Sequence, residues 1–214
     1  MATDGRVTLS SEREWWLRTL LVLQAPHAVF VHLRDDSDDA AEARQEPVTA
    51  IVFLAGIAGV LATTIAGRLL DDPVIDPVTV AVWAVIGGGF YGIAAYFGVG
   101  ALALLGVSLA GSIGSYRRAR HTVAFASVPI ALTLLVWPVR LSLYGTDVFR
   151  SGGTDGSGDV VFDLIVAAAV VWSVVLLAIG NRAVHAWSWP RTVAATALPA
   201  AVPALSYAAF AGLV

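Results

Sequence analysis

The chain contains no cysteine and no lysine among its 214 residues. The absence of cysteine excludes disulfides, thiolate metal sites and cysteine nucleophiles. All thirteen basic residues are arginine, so chemistry that needs a lysine Schiff base or a lysine general base is excluded as well. Charged residues of both signs together make up only 14% of the chain.

The sequence also lacks the residue spacings of catalytic and metal-binding motifs. No pair of the four histidines has the i, i+4 spacing with a glutamate that a zinc-protease helix uses. No G-x-S-x-G motif marks a serine nucleophile. We therefore predict a protein that is not an enzyme and has no catalytic residue, cofactor, metal site or nucleic-acid partner.

Apolar residues dominate the chain. They account for 57% of it, and the mean hydropathy is +0.77. Both values lie far from those of a soluble domain and predict an all-α, polytopic membrane protein. The arginine, aspartate, alanine and valine usage is typical of a prokaryote. No cleavable signal peptide is apparent, so the first span is expected to act as the insertion signal.

Long uncharged runs predict five transmembrane helices after a cytoplasmic arm at residues 1–46. Prolines are expected to break the third span at Pro129 and Pro138 and to kink the fifth. Arg140 lies near the end of the third span, from which its side chain can reach the interface. The predicted spans are residues 47–68, 77–112, 121–144, 160–181 and 191–213.

The run at 77–116 allows two topologies, because it is long enough for one extended helix or two spans. One helix there places ten of the thirteen arginines on the same side as the amino terminus. Two spans divide the arginines seven to six. The positive-inside rule favours five spans in the cell membrane, with the amino terminus cytoplasmic and the carboxyl terminus outside.

The arm contains an amphipathic segment at residues 11–24. Trp15 and Trp16 there, with arginines close by, are typical of a helix that lies in the headgroup region. The alternative is a soluble helix packed on the bundle. The acidic run at residues 35–46 has no EF-hand spacing, and we interpret it as a solvated connector.

Two further groups of residues stand out. Three arginines follow the second span: Arg117, Arg118 and Arg120. Positive charge at this position fixes the topology and attracts anionic headgroups. Specific recognition of a lipid or a partner protein is a second role that these arginines could have. The run GGGFYG lacks a Walker lysine and lies inside an apolar segment. We therefore interpret Gly88 and Gly92 as a helix-packing pair.

The chain resembles the Yip1 domain family, in its prokaryotic branch. The resemblance rests on P-x-x-x-F at Pro26 to Phe30, on a glycine-rich second span, and on the step from that span to the third. There the family shows a small-residue turn, an aromatic-arginine pair and A-[YF]-x-x-x-P, which match Gly114 to Arg117 and Ala124 to Pro129. The resemblance implies five spans and a cytoplasmic amino terminus, but no established activity. The D-L-Y-G-P motif of eukaryotic members is absent, so their GTPase-linked roles do not carry over.

The expected function is that of a membrane organiser. It would bind anionic lipids or partner proteins through its cytoplasmic face, as a monomer or as an oligomer through glycine-lined helix faces. The alternative is a small transporter or channel component for a neutral or weakly charged solute, because broken spans and glycine-rich helices can leave a cavity.

Overall fold

The computed structural model describes residues 4–154 and 157–210. These residues form helices and turns, with no strand among them. Three segments are long and apolar enough to cross a membrane: Pro77–Leu109, Tyr116–Phe149 and Asp159–His185. The chain is therefore a helical, membrane-embedded protein.

The arm is folded into three helices. Helix α1 spans Asp4–Leu21, so it begins and ends earlier than the segment 11–24 expected from the sequence. Helix α2 spans Pro26–Val31 and continues into a 3₁₀ turn at His32–Arg34. Helix α3 spans Asp38–Ala43, and the hydroxyl of Ser37 caps it by accepting a hydrogen bond from the Ala40 amide.

Helix α4 spans Gln45–Leu61 and is shorter than the run 47–68 expected from its apolar character. The chain then turns and forms a 3₁₀ helix at Ala66–Asp71. The Thr63 hydroxyl explains the early end, because it donates to the Val60 carbonyl at 2.7 Å and accepts from the Ala66 amide. Such local side-chain bonds compete with helix continuation. At 17 residues, α4 is about 26 Å long.

Helix α5 spans Pro77–Leu109 without a break. Asp76 caps it by accepting from the Thr79 amide at 2.6 Å, and Pro77 occupies the first turn, where a missing amide hydrogen costs nothing. Its 33 residues correspond to about 50 Å, well beyond the hydrocarbon core of about 30 Å. The run at 77–116 therefore contains one long helix and no second turnaround.

The third apolar segment is broken, as its prolines predict. Pro129 and Pro138 each stand in the first turn of a new helix, because proline lacks the amide hydrogen that a helix interior needs. The segment begins at Tyr116, five residues before the expected start at 121. Its parts are α6 (Tyr116–Ala126), α7 (Val128–Leu132), a 3₁₀ turn (Thr133–Val136), α8 (Trp137–Tyr144) and a second 3₁₀ turn (Gly145–Phe149).

Helices α9 and α10 complete the bundle. Helix α9 spans Ser157–His185, longer at both ends than the expected 160–181. Helix α10 spans Trp189–Phe210, and the last expected residues of that span, 211–213, lie outside the described part of the chain. Helix α5 is the central element, and it packs against α4, α6 and α10.

The main core joins the arm to the apolar helices. Phe30 of α2, Phe125 of α6 and Leu176 of α9 are fully buried in it, and Trp15 of α1 lies against Phe125 with ring centroids 5.5 Å apart. Gly180 in α9 leaves the space that the Phe30 ring occupies. The arm is thus an integral part of the packed fold.

Candidate functional site

Arg117 and Arg118 stand at the start of α6, where the hydroxyl of Ser115 caps the helix. The guanidinium of Arg117 contacts Asp36 at 3.1 Å and Asp38 at 2.6 Å. Arg118 donates to the Arg34 carbonyl at 3.1 Å and lies 3.9 Å from the second carboxylate oxygen of Asp36. The acidic connector of the arm therefore neutralises much of the charge that the sequence places at this turn.

Arg120 points to a different environment. Its guanidinium lies 4.6 Å from the ring centroid of Tyr116, 4.7 Å from that of Phe97 and 5.2 Å from that of Tyr96. Stacking of a cation on aromatic faces is favourable in this distance range. The three arginines expected to act together are thus divided between an ion-pair network and an aromatic cluster.

Arg44, at the junction of α3 and α4, is the centre of the network, and its role was not anticipated from the sequence. Its side chain is 0% exposed, and each of the three guanidinium nitrogens forms a hydrogen bond. Nε donates to Nδ1 of His121 at 2.7 Å, Nη1 donates to the Asp35 carbonyl at 2.8 Å, and Nη2 contacts Asp36 at 3.3 Å. A buried charge is tolerated when it is paired and hydrogen-bonded in this way.

Asp36 therefore accepts from several donors at once and is not the solvated residue expected from the acidic run. Its side chain is 14% exposed, whereas that of Asp38 is 94% exposed. Burial raises the pKa of Asp36, but hydrogen bonds from Ser115 and Arg117 and the charges of Arg117 and Arg118 outweigh burial and hold the pKa below its usual value. We name Asp36, Arg44, Arg117, Arg118 and His121 the interface network.

Three connecting segments meet at this end of the molecule. Arg34 of the arm donates to the Ala183 carbonyl of α9 at 2.9 and 2.6 Å. Arg191 of α10 donates to the carbonyls of Ala110 and Gly111 at 2.8 and 2.9 Å. The arm, the α5–α6 turn and the α9–α10 turn therefore share one end, the grouping that the arginine distribution predicts.

The two tryptophans of α1 face in different directions. Trp15 is 4% exposed and belongs to the core, while Trp16 is 40% exposed. Leu17, Leu20 and Leu21 are exposed as well. We name Trp16, Leu17, Leu20 and Leu21 the outer face of α1.

Gly88 and Gly92 of α5 face α4 where the two helices are closest. A Cβ on Gly88 would lie 2.5 Å from the Cα of Ile57, and a Cβ on Gly92 would collide with the Val52 carbonyl. On the α4 side, a Cβ on Gly56 would lie 2.7 Å from the Cα of Gly92. Three glycines thus permit backbone contact between α4 and α5, and this contact lies within one chain.

Two cavities lie between the helices. An apolar cavity of about 400 Å³ is lined mainly by small and aliphatic side chains of α4, α5, α6, α7 and α9. A polar cavity of about 320 Å³ lies at the end of the molecule opposite the interface network, where α4 stops. The two cavities adjoin, because both are lined by Ala62, Thr63, Thr133 and Val166.

The polar cavity contains the arginine that the sequence places inside the third span. Arg140 donates to Asp159 at 2.5 Å, and its guanidinium lies 5.2 Å from the ring centroid of Trp137. The other carboxylate oxygen of Asp159 accepts from the Thr154 hydroxyl at 2.7 Å. Arg140 is therefore paired within the bundle instead of extending free to the interface.

Metal-binding geometry is not found in the part of the chain that the structure describes. Among residues 4–154 and 157–210, no three histidine, aspartate or glutamate side chains are grouped to hold an ion.

The fold and its composition define a class of protein, a helical membrane protein with apolar helices and an ion-paired arm at one end. The model of the Yip1 domain family matches residues 20–211, and the chain belongs to this family. The match covers all of α2 to α10 and agrees with the resemblance carried by Pro26 to Phe30 and Gly114 to Pro129. Comparisons with curated proteins and with solved structures returned no match.

Proposed function

We propose that the protein is a non-enzymatic organiser whose arm lies on the cytoplasmic membrane surface and gathers partner proteins there. The observation that supports this function is the outer face of α1. Its four large apolar side chains are exposed, although Trp15 and Thr19 on the opposite side hold the helix in the fold. A contiguous exposed apolar patch on a folded helix is typical of a membrane or protein contact.

The interface network and the contact of Arg34 with α9 hold the arm, and with it the outer face of α1, in a fixed position. The Arg34 and Arg117 contacts tie it to α9 and α6, so a bound partner would be held at a defined position on the membrane protein. Arg117, Arg118 and Arg120 would add positive charge for anionic headgroups, but their internal contacts make α1 the principal binding element. Self-association would require a surface other than Gly88 and Gly92, because both face α4.

We also propose five spans in the cell membrane with a cytoplasmic amino terminus. Helices α4, α5, α9 and α10 and the broken segment Tyr116–Phe149 would be the spans. The end that carries the arm and the two turns contains ten of the thirteen arginines, which the positive-inside rule assigns to the cytoplasm. Helix α4 is at the short limit for a span, about 17 residues.

Single cysteines test this orientation without background, since the chain has no cysteine of its own. Val74→Cys, in the exposed turn before α5, is expected to react with a membrane-impermeant maleimide on intact cells. Asp39→Cys, exposed in the arm, is expected to react only after the membrane is opened. The opposite pattern would reverse the topology. Labelling of both residues on intact cells would contradict the placement of the arm, α1 to α3, in the cytoplasm.

Photo-crosslinking tests the organising role. A photoreactive residue at position 20, on the outer face of α1, is expected to yield defined protein adducts in cells. The double variant Leu17→Glu with Leu20→Glu should no longer recover the partners that are purified with the native protein. Its unfolding temperature should be unchanged, because both side chains are exposed. Val74→Glu at the opposite end is the matched control. Equal recovery of partners with both variants would reject the proposal.

The adjoining cavities favour a second candidate function, transport of a neutral or weakly charged solute. Together they extend from the end where α4 stops to Tyr96, whose ring lies against Arg120. Such a route would be closed where Arg120 stacks on Tyr96 in the conformation described.

A further inference from the structure

Two exposed side chains that line the polar cavity, one arginine and one aspartate, form no ion pair with another residue in the described part of the chain. Arg140 and Asp159 neutralise each other, and Arg150 donates to the Leu70 carbonyl and lies 3.7 Å from Asp147. Within residues 4–154 and 157–210, Arg68 has Asp71 as a charged neighbour and Asp163 has Arg140, but neither Arg68 nor Asp163 forms an ion pair or a side-chain hydrogen bond. An occupant with one anionic and one cationic group would therefore match the charges of this cavity.

The apolar cavity beside it suits a hydrocarbon chain. Its volume of about 400 Å³ lies in the range of ligand pockets, and glycines at positions 56, 59, 92 and 98 contribute to its wall. Ala62, Thr63, Thr133 and Val166 line both cavities, so a molecule can place its polar part in one and its chain in the other.

The polar cavity lies at the depth of a lipid headgroup and opens at the protein surface. Trp137, Arg140 and the first turns of α9 lie at one end of the apolar helices, where tryptophan and charged residues meet the membrane surface. Thr64, Arg68, Asp163 and Ile165 line the polar cavity and are exposed, so the cavity opens at the protein surface.

We propose that the two cavities bind one zwitterionic phospholipid, with its phosphate at Arg68, its ammonium at Asp163 and one acyl chain in the apolar cavity. The acyl chain is in an apolar environment both in the bilayer and in the cavity, so its transfer contributes little to selectivity. Selectivity arises at the headgroup, because phosphatidylglycerol has no ammonium group to pair with Asp163. Because such a phospholipid is net neutral, the proposal specifies the solute of the second candidate function. It does not depend on the organising role.

Native mass spectrometry of the full chain in mixed nanodiscs tests the site. The nanodiscs contain equal amounts of phosphatidylethanolamine and phosphatidylglycerol. The released protein is expected to carry one bound lipid, and the form with phosphatidylethanolamine should be about five times as abundant as the form with phosphatidylglycerol. This ratio corresponds to the contribution of one partly exposed ion pair. Asp163→Asn should abolish this preference while a lipid remains bound. A preference for phosphatidylglycerol in the wild type, or an unchanged preference in Asp163→Asn, would overturn the proposal.

The cavity itself is tested by filling it. Val170 lines the apolar cavity, whereas Val171 is its exposed neighbour on α9. Val170→Trp is expected to lose the bound lipid and Val171→Trp to retain it; equal retention would reject the chain site. If Val170→Trp does not fold, Asp163→Asn still tests the headgroup site, because the Asp163 side chain is exposed. Retention of the lipid without flux in liposomes would reject transport and leave binding in place.

Discussion

Asp36→Asn is expected to lower the free energy of unfolding by about 3 kcal/mol, because it removes the only carboxylate that contacts the fully buried Arg44 within the described part of the chain. Arg44 keeps its bonds to His121 and to the Asp35 carbonyl, but its charge loses its counterion. Arg117 and Arg118 lose the same partner, so three like charges remain close together. Unfolding in detergent, followed by tryptophan fluorescence, measures the loss.

Asp38→Ala is the matched control for this experiment. Asp38 pairs with Arg117 at 2.6 Å, but its side chain is 94% exposed, and exposed ion pairs contribute at most about 1 kcal/mol. Equal effects of the two substitutions would show that the buried pairing of Arg44 does not stabilise the fold.

The effect of Asp36→Asn also depends on pH. Because the pKa of Asp36 is lower in the folded chain than in the unfolded chain, its carboxylate stabilises the fold fully above about pH 4. The contribution is lost as the pH falls through the folded pKa. The difference in stability between wild type and Asp36→Asn should therefore shrink in acid, and a constant difference would argue that the carboxylate charge is not the cause.

Gly56→Ala is expected to separate α4 from α5 and to destabilise the protein by about 1–3 kcal/mol. The added methyl group would meet the Gly88 carbonyl and the Cα of Gly92, both of them backbone atoms that no side-chain rotation can move aside. Gly56→Leu, with more atoms in the same place, should prevent accumulation of folded protein. Thermal unfolding and yield from membranes report both effects.

Gly98→Ala provides the opposite case within α5. A Cβ at Gly98 would have no heavy atom within 4 Å, and alanine is favoured over glycine in a helix interior by about 1 kcal/mol. This substitution should leave stability unchanged or raise it. A loss as large as that of Gly56→Ala would mean that glycine flexibility, and not close approach of α4 and α5, determines the result.

The sequence was a good guide where one physical property decides the structure. Apolar runs located the long helices, Pro129 and Pro138 marked the breaks between α6, α7 and α8, and the arginine distribution grouped the three segments that meet at one end. Each of these depends on local composition or on one residue type. The residues of the Yip1 resemblance likewise lie within the range that the family model matches.

Pairings between distant residues could not be predicted in this way. Arg44 and His121 are 77 positions apart, and nothing in either local sequence indicates that they bond. The end of α4 at Leu61 depends on one hydroxyl of Thr63, within a run whose apolar character continues. The different burial of Trp15 and Trp16 depends on the tertiary contact with Phe125, and the cavities depend on the spacing of several helices.

The pairing of the arm with late segments determines when it can fold. Arg34 bonds to Ala183, which is synthesised 149 residues later, an interval of about 7 to 30 s at ordinary rates of translation. Phe125 and Leu176, which bury Trp15 and Phe30, also follow the arm by many residues. During synthesis the newly made arm therefore lacks its core partners until α6 and α9 have been made.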